Sequence, residues 1–181
     1  MGYRRGFKSE CEQLAHDTRR ELKLDLKSPL AVTDLAEHLC IPVLATSDLV
    51  KFGATPEDIR RAERILSAFT VVVGTYKAIF YNPSHPTSRL ANSLAHELSH
   101  ILLEHVPTVA VVDRRRVWNA DQEAEADWLA GALLVPREGA VRWLKAGGSL
   151  AQGGAHFRVS DALFTWRVNN TGITRQLRLT A

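Results

Sequence analysis

The alternation of apolar and polar residues has the period of an α-helix in several segments of the chain. Two of these segments also carry sequence signals at their starts. Ser9 and Glu12 have the spacing of a capping box, and Thr55-Pro56 is followed by two acidic residues, which suit the positive end of a helix dipole. The predicted helices cover residues 9–22, 33–39, 55–66, 87–105, 121–134 and 160 to 170 or 172.

Short apolar runs interrupt the helical pattern. The runs at residues 69–73 and 78–81 are separated by a stretch that contains Gly74, and they predict a β-hairpin with glycine in the turn. Residues 41–45 and 109–112 are predicted to be extended as well. Together these segments predict an α+β fold that is mostly helical and has a short antiparallel or mixed sheet.

Composition and charge narrow the class of protein. Hydrophobic residues make up 45% of the 181 residues and charged residues 24%, which is typical of a globular domain, and the net charge of +3 is too small to indicate a dedicated nucleic-acid binder. No apolar run approaches the roughly 18 residues of a membrane-spanning helix. Arg4-Arg5 lack the apolar region of an export signal behind them, and Cys11 and Cys40 lack CxxC spacing. We therefore expect two reduced thiols in a cytoplasmic protein.

The candidate chemistry begins at the HExxH sequence formed by His96, Glu97 and His100. Side chains four residues apart lie on one face of a helix, so both imidazoles can bind one tetrahedral metal ion. Glu97 lies beside His96, where its carboxylate can act as the base for an attacking water without binding the metal. The alternative is that the two histidines are ordinary polar residues on a half-exposed helix.

A third ligand is expected from a different element, because a metal seated on one helix has coordination positions that point away from it. The helix predicted over residues 121–134 begins with acidic residues. Glu123 and Asp127 are four apart, so one can bind the metal while the other accepts a hydrogen bond from a ligand histidine. The alternative is that Glu123, Glu125 and Asp127 form an acidic, solvated first turn, but the HExxH sequence upstream favours a ligand.

Five other residues are weaker candidates. Glu104 continues the face of the two histidines but lies a turn beyond the metal, whereas His85 and His105 are typical of surface or loop histidines. Tyr81 or His156 could stabilise a tetrahedral intermediate, although the spacing gives no geometry for either.

Three stretches of the sequence resemble the ImmA/IrrE family of zinc metallopeptidases. An apolar strand ending in Asn82 precedes an AHExxH helix, which is followed by the pattern E-x-x-A-(N/D)-x-(F/L)-A-x-x-L-L-x-P. The last pattern is specific and fits this chain at every position. Ser99 is a departure, because it stands where the family usually has glycine, but it is compatible with a helix. The matching stretches are residues 79–82, 94–103 and 123–136.

The resemblance implies a zincin-like, gluzincin-type core in which the HExxH helix is followed by a second ligand-bearing helix. It implies that Glu123 rather than Glu125 is the third ligand, and that Asp127 supports a ligand histidine. By resemblance the metal is zinc, bound by His96, His100 and Glu123. Manganese or iron could occupy the same ligands in vitro.

The resemblance also bears on domain organisation. Residues 1–140 are expected to form the zincin-like metallopeptidase domain. Residues 141–181 are expected to form a small helical tail, packed on or appended to that core, because residues 155–172 are similar to a tail that follows the protease core in the family.

Members of the family cut Cro/cI-type helix-turn-helix repressors. The resemblance therefore implies a repressor substrate, encoded nearby, whose cleavage relieves repression of stress-response or mobile-element genes. One alternative is a metal-containing, non-proteolytic module that binds and sequesters a transcription regulator. Another is a DNA-binding regulator, but a few arginines on a mildly basic chain are more typical of a solvated face, so direct DNA binding is not expected. The arginines concerned are Arg158, Arg167, Arg175 and Arg178.

Overall fold

A computed structural model describes residues 3–105 and 119–177 of the chain. Helices dominate these ranges and surround a small sheet, so the predicted α+β fold with a mostly helical chain is confirmed. The elements, in chain order, are α1 (Phe7–Glu21), α2 (Val32–His38), β1 (Val43–Ala45), a 3-10 helix (Thr46–Phe52), α3 (Pro56–Ile65), β2 (Ala68–Val73), β3 (Tyr76–Tyr81), α4 (Thr87–Leu102), α5 (Ala120–Leu134), α6 (Arg137–Lys145), α7 (Leu150–Phe157), α8 (Asp161–Asn170) and α9 (Ile173–Leu177).

The sheet is mixed, with strand order β1-β3-β2. β2 and β3 form the predicted antiparallel hairpin, with Phe69 opposite Phe80, and β1 pairs with β3 in parallel. Gly74 occupies the first turn position with a φ of 61°, which glycine adopts without steric cost. The strand predicted over residues 109–112 lies outside the described residues.

Helices α4 and α5 pack against each other and carry the candidate site between them. On α4 the buried side carries Leu94 and Leu98, whereas the C-terminal half of α5 is buried on nearly every side and includes Leu129, Leu133 and Leu134. Burying a leucine side chain fully is worth about 1.5–3 kcal/mol, so these contacts fix the two helices against the core. The other side of α4 and the first turns of α5 present polar groups to one another.

The start of α1 differs from the prediction. The helix begins at Phe7. Its N-cap residue is Gly6, which has a φ of 88°, and no side chain forms a capping hydrogen bond. The predicted capping box of Ser9 and Glu12 is therefore wrong. Phe7 is buried in the core, and this tertiary contact extends the helix past the local signal. Glu12 instead accepts a hydrogen bond from the backbone N–H of Arg137 over 2.8 Å.

The end of α4 also differs from the prediction. The helix ends at Leu102, three residues before the predicted His105. Glu104 adopts a left-handed φ of 53°. The backbone N–H of Glu104 donates to the carbonyl of Ile101 over 3.2 Å, and that of His105 donates to the carbonyl of His100 over 3.0 Å. These two bonds form a Schellman motif, which reverses the chain and brings His105 back beside the helix.

The second pair of glycines in the C-terminal segment lies inside a helix, whereas Gly147-Gly148 lie in the turn before it. Ser149 caps α7, and Gly153 and Gly154 follow within it. A Cβ atom on Gly153 would lie 2.1 Å from the ring of Phe164, and one on Gly154 would lie 2.2 Å from a carboxylate oxygen of Asp161. The glycines therefore permit the close approach of α7 and α8. The hydrophobic pattern predicts no helix here, nor at α6, α9 and the 3-10 helix.

Two buried arginines join the end of α5 to other helices. Arg19 donates to the carbonyl of Leu133 over 2.5 Å, and Nε of Arg167 donates to the carbonyl of Val135 over 3.0 Å. These carbonyls belong to the last turn of α5 and to its C-cap residue, where the helix supplies no partner for them. Arg167 also forms an ion pair with Glu12. The expectation that the C-terminal arginines form a solvated face is therefore wrong for Arg167, which is fully buried.

Two further expectations concern cysteines and membranes. Cys11 is buried and Cys40 exposed, and both are free. Burial raises the pKa of the Cys11 thiol to about 12, so this thiol stays protonated at neutral pH. Among the helices of the described ranges, none is both long and apolar enough to cross a membrane.

Candidate metal centre

The three predicted metal ligands, His96, His100 and Glu123, converge where α4 faces α5. The Nε2 atoms of His96 and His100 lie 3.0 Å apart. The Glu123 carboxylate reaches both, at 3.3 Å from Nε2 of His96 and 3.8 Å from Nε2 of His100. One ligand atom from each residue lies within 4.8 Å of the others, so this group could hold a metal ion.

The local structure explains this convergence. His96 and His100 are one helical turn apart on α4, while Glu123 lies in the first turn of α5, which is capped by the side chain of Asn119. The side chains of His96, His100 and Glu123 are 21%, 18% and 12% exposed, respectively. The group is therefore shielded from bulk water on most sides but stays open to a substrate.

The donor set fits zinc. Two imidazole nitrogens and one carboxylate, with a coordination position left for water or substrate, are the ligands of many catalytic zinc sites. When both imidazoles are neutral and protonated at Nδ1, their Nε2 lone pairs point at each other and at an anionic carboxylate. That arrangement is stabilised by a positive charge among the three groups, supplied by a metal ion or by a proton.

Asp127 lies beside the first ligand histidine. Its Oδ1 atom is 2.8 Å from Nδ1 of His96, and an ionised carboxylate can only accept, so Nδ1 of His96 is the donor. Burial lowers the pKa of His96, but the hydrogen bond and charge of Asp127, together with the charges of Glu97 and Glu123, outweigh it. The pKa of His96 therefore lies above its ordinary value of 6.5. A proton and a metal ion compete for Nε2 of this histidine.

Glu97 is next to the ligands but outside the group that could hold a metal. Its carboxylate points towards the sheet, where the hydroxyl of Thr70 on β2 donates a hydrogen bond to Oε2 over 2.7 Å. Thr70 was not identified from the sequence, because the contact joins residues 27 positions apart and no local pattern marks it.

The second ligand histidine has a partner that the sequence pattern missed. Nδ1 of His100 lies 2.9 Å from Nδ1 of His105, and Nε2 of His105 lies 3.2 Å from a carboxylate oxygen of Glu125. His105 lies in the loop after α4, as expected, but its side chain is only 7% exposed, so the expected surface position is wrong. The chain reverses at Glu104 to place His105 here. Sequence rules for helix ends look for glycine at such a reversal, so they do not predict it.

The remaining candidates lie at other positions of the fold. His156 stacks on Trp143 at 3.9 Å and hydrogen-bonds the carbonyl of Lys27, in a different part of the fold. Glu104 is exposed in the turn after α4. His85 lies in the loop before α4, and Tyr81 is half-buried at the end of β3, with no described contact to the three ligands.

A pair of histidines on one helix, a carboxylate on the next and a glutamate beside them is the arrangement of a metal-dependent peptidase. Among models of protein families, the IrrE N-terminal-like domain, peptidase M78, matches residues 36–165, which is more than half of the chain. The chain belongs to this family, and the ImmA/IrrE resemblance is confirmed. Membership supports a metallopeptidase-type function with a protein substrate. A comparison with curated proteins gave no match.

Proposed function

We propose that the protein is a zinc-dependent metalloendopeptidase in which His96, His100 and Glu123 bind the metal and Glu97 is the catalytic base. The observation that carries this proposal is the convergence of two Nε2 atoms and one carboxylate within 4.8 Å, with Glu97 next to His96 on α4. Zinc is favoured over manganese or iron because two imidazoles and one carboxylate with an open position suit it, although the other metals could bind in vitro.

The proposed chemistry divides the work between the metal and the chain. A zinc ion bound by His96, His100 and Glu123 would polarise the scissile carbonyl and lower the pKa of a water molecule from ~15.7 to about 7. Glu97 takes the proton from the attacking water and passes it to the leaving amine. Thr70 holds the Glu97 carboxylate in place through the 2.7 Å hydrogen bond, so that the base does not have to be ordered during the reaction.

An extended peptide has a binding surface beside this site. Within the described residues β2 pairs with β3 alone, so its other edge offers backbone groups to a partner strand. The N–H of Asn82 donates to the carbonyl of Ser67 across the hairpin, so the alternation of the antiparallel ladder directs the backbone of Thr70 to the free edge. A substrate that adds to β2 would pass the Glu97 carboxylate, which suits cleavage within a chain.

The proposed substrate is a Cro/cI-type helix-turn-helix repressor, and cleavage would relieve repression of stress-response or mobile-element genes. The family membership supports this choice, since the resemblance implies such substrates. A repressor target and two free cysteines also fit a protein that works in the cytoplasm. Direct DNA binding is not part of the proposal, and the burial of Arg167 removes one of the arginines that it would need.

The test is incubation of the purified protein with the repressor encoded beside its gene, with zinc and after chelation. A discrete product that requires zinc would support both the activity and the substrate class. An intact repressor that binds stoichiometrically to zinc-loaded protein would overturn the proposed cleavage and favour a sequestering module. A matched zinc-loaded Glu97→Gln sample separates cleavage by this site from cleavage by a contaminant.

A further inference from the structure

We propose that Glu125 and His105 form a hydrogen-bonded relay that fixes the tautomer of His100 and holds its Nε2 atom towards the metal. His105 and Glu125 are positioning residues in this account, since neither touches the metal or the substrate. The inference rests on the proposed metal site and extends it to two side chains to which the sequence pattern gave no such role.

The direction of each hydrogen bond follows from the group at the end of the relay. The Glu125 carboxylate only accepts, so Nε2 of His105 carries the proton in the 3.2 Å contact. Nδ1 of a neutral His105 is then an acceptor. In the 2.9 Å contact between the two Nδ1 atoms, His100 must therefore be the donor. With its proton on Nδ1, His100 has the lone pair on Nε2, the atom that faces His96 and Glu123.

The backbone places His105 for this role. The Schellman motif ties the N–H of His105 to the carbonyl of His100, so the same two residues are joined through backbone and side chain. The turn requires a left-handed φ of 53° at Glu104, which residues with a Cβ adopt far less readily than glycine does. Burial of the His105 side chain, which is 7% exposed, keeps water from replacing either hydrogen bond.

Glu125 reaches the relay because of its place on α5. It is two residues from Glu123 and two from Asp127, or about 200° around the helix from each. It therefore cannot share their face and cannot bind the same metal directly. One acidic turn thus serves both ligand histidines: Asp127 contacts His96 directly, and Glu125 contacts His100 through an intervening imidazole.

The experiment measures zinc affinity by chelator competition, together with the imidazole tautomers by ¹H–¹⁵N NMR of the metal-free protein near pH 8, where most imidazoles are neutral. His105→Phe keeps a ring in the buried site but removes the acceptor, and we expect zinc affinity to fall about 10- to 100-fold. His105→Asn places an amide oxygen near the position of Nδ1 and should recover most of that loss. His156→Phe makes the same substitution away from the site and should leave the affinity unchanged.

The tautomer of His100 distinguishes the relay from a packing role, because a His105 side chain that only fills space would not determine which nitrogen of His100 is protonated. In the unsubstituted protein we expect His105 protonated at Nε2 and His100 protonated at Nδ1, and we expect His100 to lose this preference in His105→Phe. Equal zinc affinity in His105→Phe and the unsubstituted protein would overturn the relay. So would a proton on Nδ1 of His105, which can be read without any variant if His105→Phe does not fold.

The two proposals fail in different ways. If the unsubstituted protein binds no zinc, the proposed function falls, and the tautomers still decide whether the relay exists. If zinc binds and its affinity is the same in His105→Phe and in the unsubstituted protein, the proposed metal site stands and only the relay is contradicted.

Discussion

The hydroxyl of Thr70 donates a hydrogen bond to the Glu97 carboxylate over 2.7 Å, and this contact joins edge strand β2 to helix α4. The hydrogen bond holds the carboxylate of Glu97, the residue that we propose as the base, beside strand β2. A substrate strand added to β2 would therefore be placed relative to the proposed base by the same side chain that holds it.

Replacement of Thr70 by valine tests this contact. Valine keeps the shape but removes the donor, and a hydrogen bond to a charged group contributes about 1.5–3 kcal/mol. We expect kcat/KM for peptide cleavage to fall about 10- to 150-fold, mostly in kcat, with unchanged zinc affinity. Thr70→Ser is the matched control, because it retains the hydroxyl. Equal activity of the valine and serine variants would show that the contact does not position the base.

Replacement of Asp127 by alanine tests the support of His96. The variant removes the acceptor that lies 2.8 Å from Nδ1 of His96, so the ring is no longer held in one orientation or tautomer. We expect zinc affinity to fall about 10- to 100-fold in chelator competition. Asp121→Ala removes a carboxylate from the exposed start of the same helix and should have little effect. A similar loss in both variants would point to general electrostatic attraction instead.

The raised pKa of His96 predicts opposite pH effects with and without metal. In the metal-free protein, the folded state binds this proton more tightly than the unfolded chain does, whose pKa is near 6.5. The resulting stability is fully present below that value and is lost as the pH rises through the raised pKa. Zinc competes for the same nitrogen, so apparent zinc affinity should instead fall as the pH drops through the raised pKa.

Urea unfolding of the chelated protein and zinc competition, both across the pH range, check the two signs. His96→Gln is the control, and its unfolding free energy should lose the part of the pH dependence that His96 contributes. An unchanged pH dependence in His96→Gln would contradict the assignment of this proton to His96.

Arg167 is predicted to hold the C-terminal helices to the core. Arg167→Met fills the buried space but leaves Glu12 without its ion pair and the carbonyl of Val135 without its donor. We expect the free energy of unfolding to fall by about 3 kcal/mol. Arg175→Ala, at an exposed position of α9, should change it by less than about 0.5 kcal/mol. Equal effects in urea unfolding would mean that the buried ion pair contributes nothing specific.

Much of the candidate site could be predicted because its signals are local. The spacing of His96 and His100 determines their shared helix face, and the hairpin follows from two apolar runs around Gly74. The choice of Glu123 over Glu125 came from the family pattern, since the acidic turn alone leaves either open. The structure places Glu123 against both histidines, and Glu125 against His105.

The parts that escaped prediction depend on contacts between distant residues. Phe7 extends α1 past the Ser9 signal because its ring is buried, and Gly153 belongs to a helix because the ring of Phe164 occupies the space of a side chain. The ends of several helices also turn at left-handed residues other than glycine, at Lys23, Cys40, Glu104 and Arg158. Sequence rules that look for glycine cannot find these ends, and the reversal that brings His105 to His100 is one of them.

The central claim is that Glu97 acts as the base at a zinc site formed by His96, His100 and Glu123. The most direct test compares zinc-loaded unsubstituted protein with zinc-loaded Glu97→Gln for cleavage of the neighbouring repressor, with bound zinc measured in the same samples. We predict about one zinc per chain in both proteins, a discrete cleavage product only from the unsubstituted one, and no product after chelation. Cleavage that persists at full rate in the Glu97→Gln protein would contradict the account.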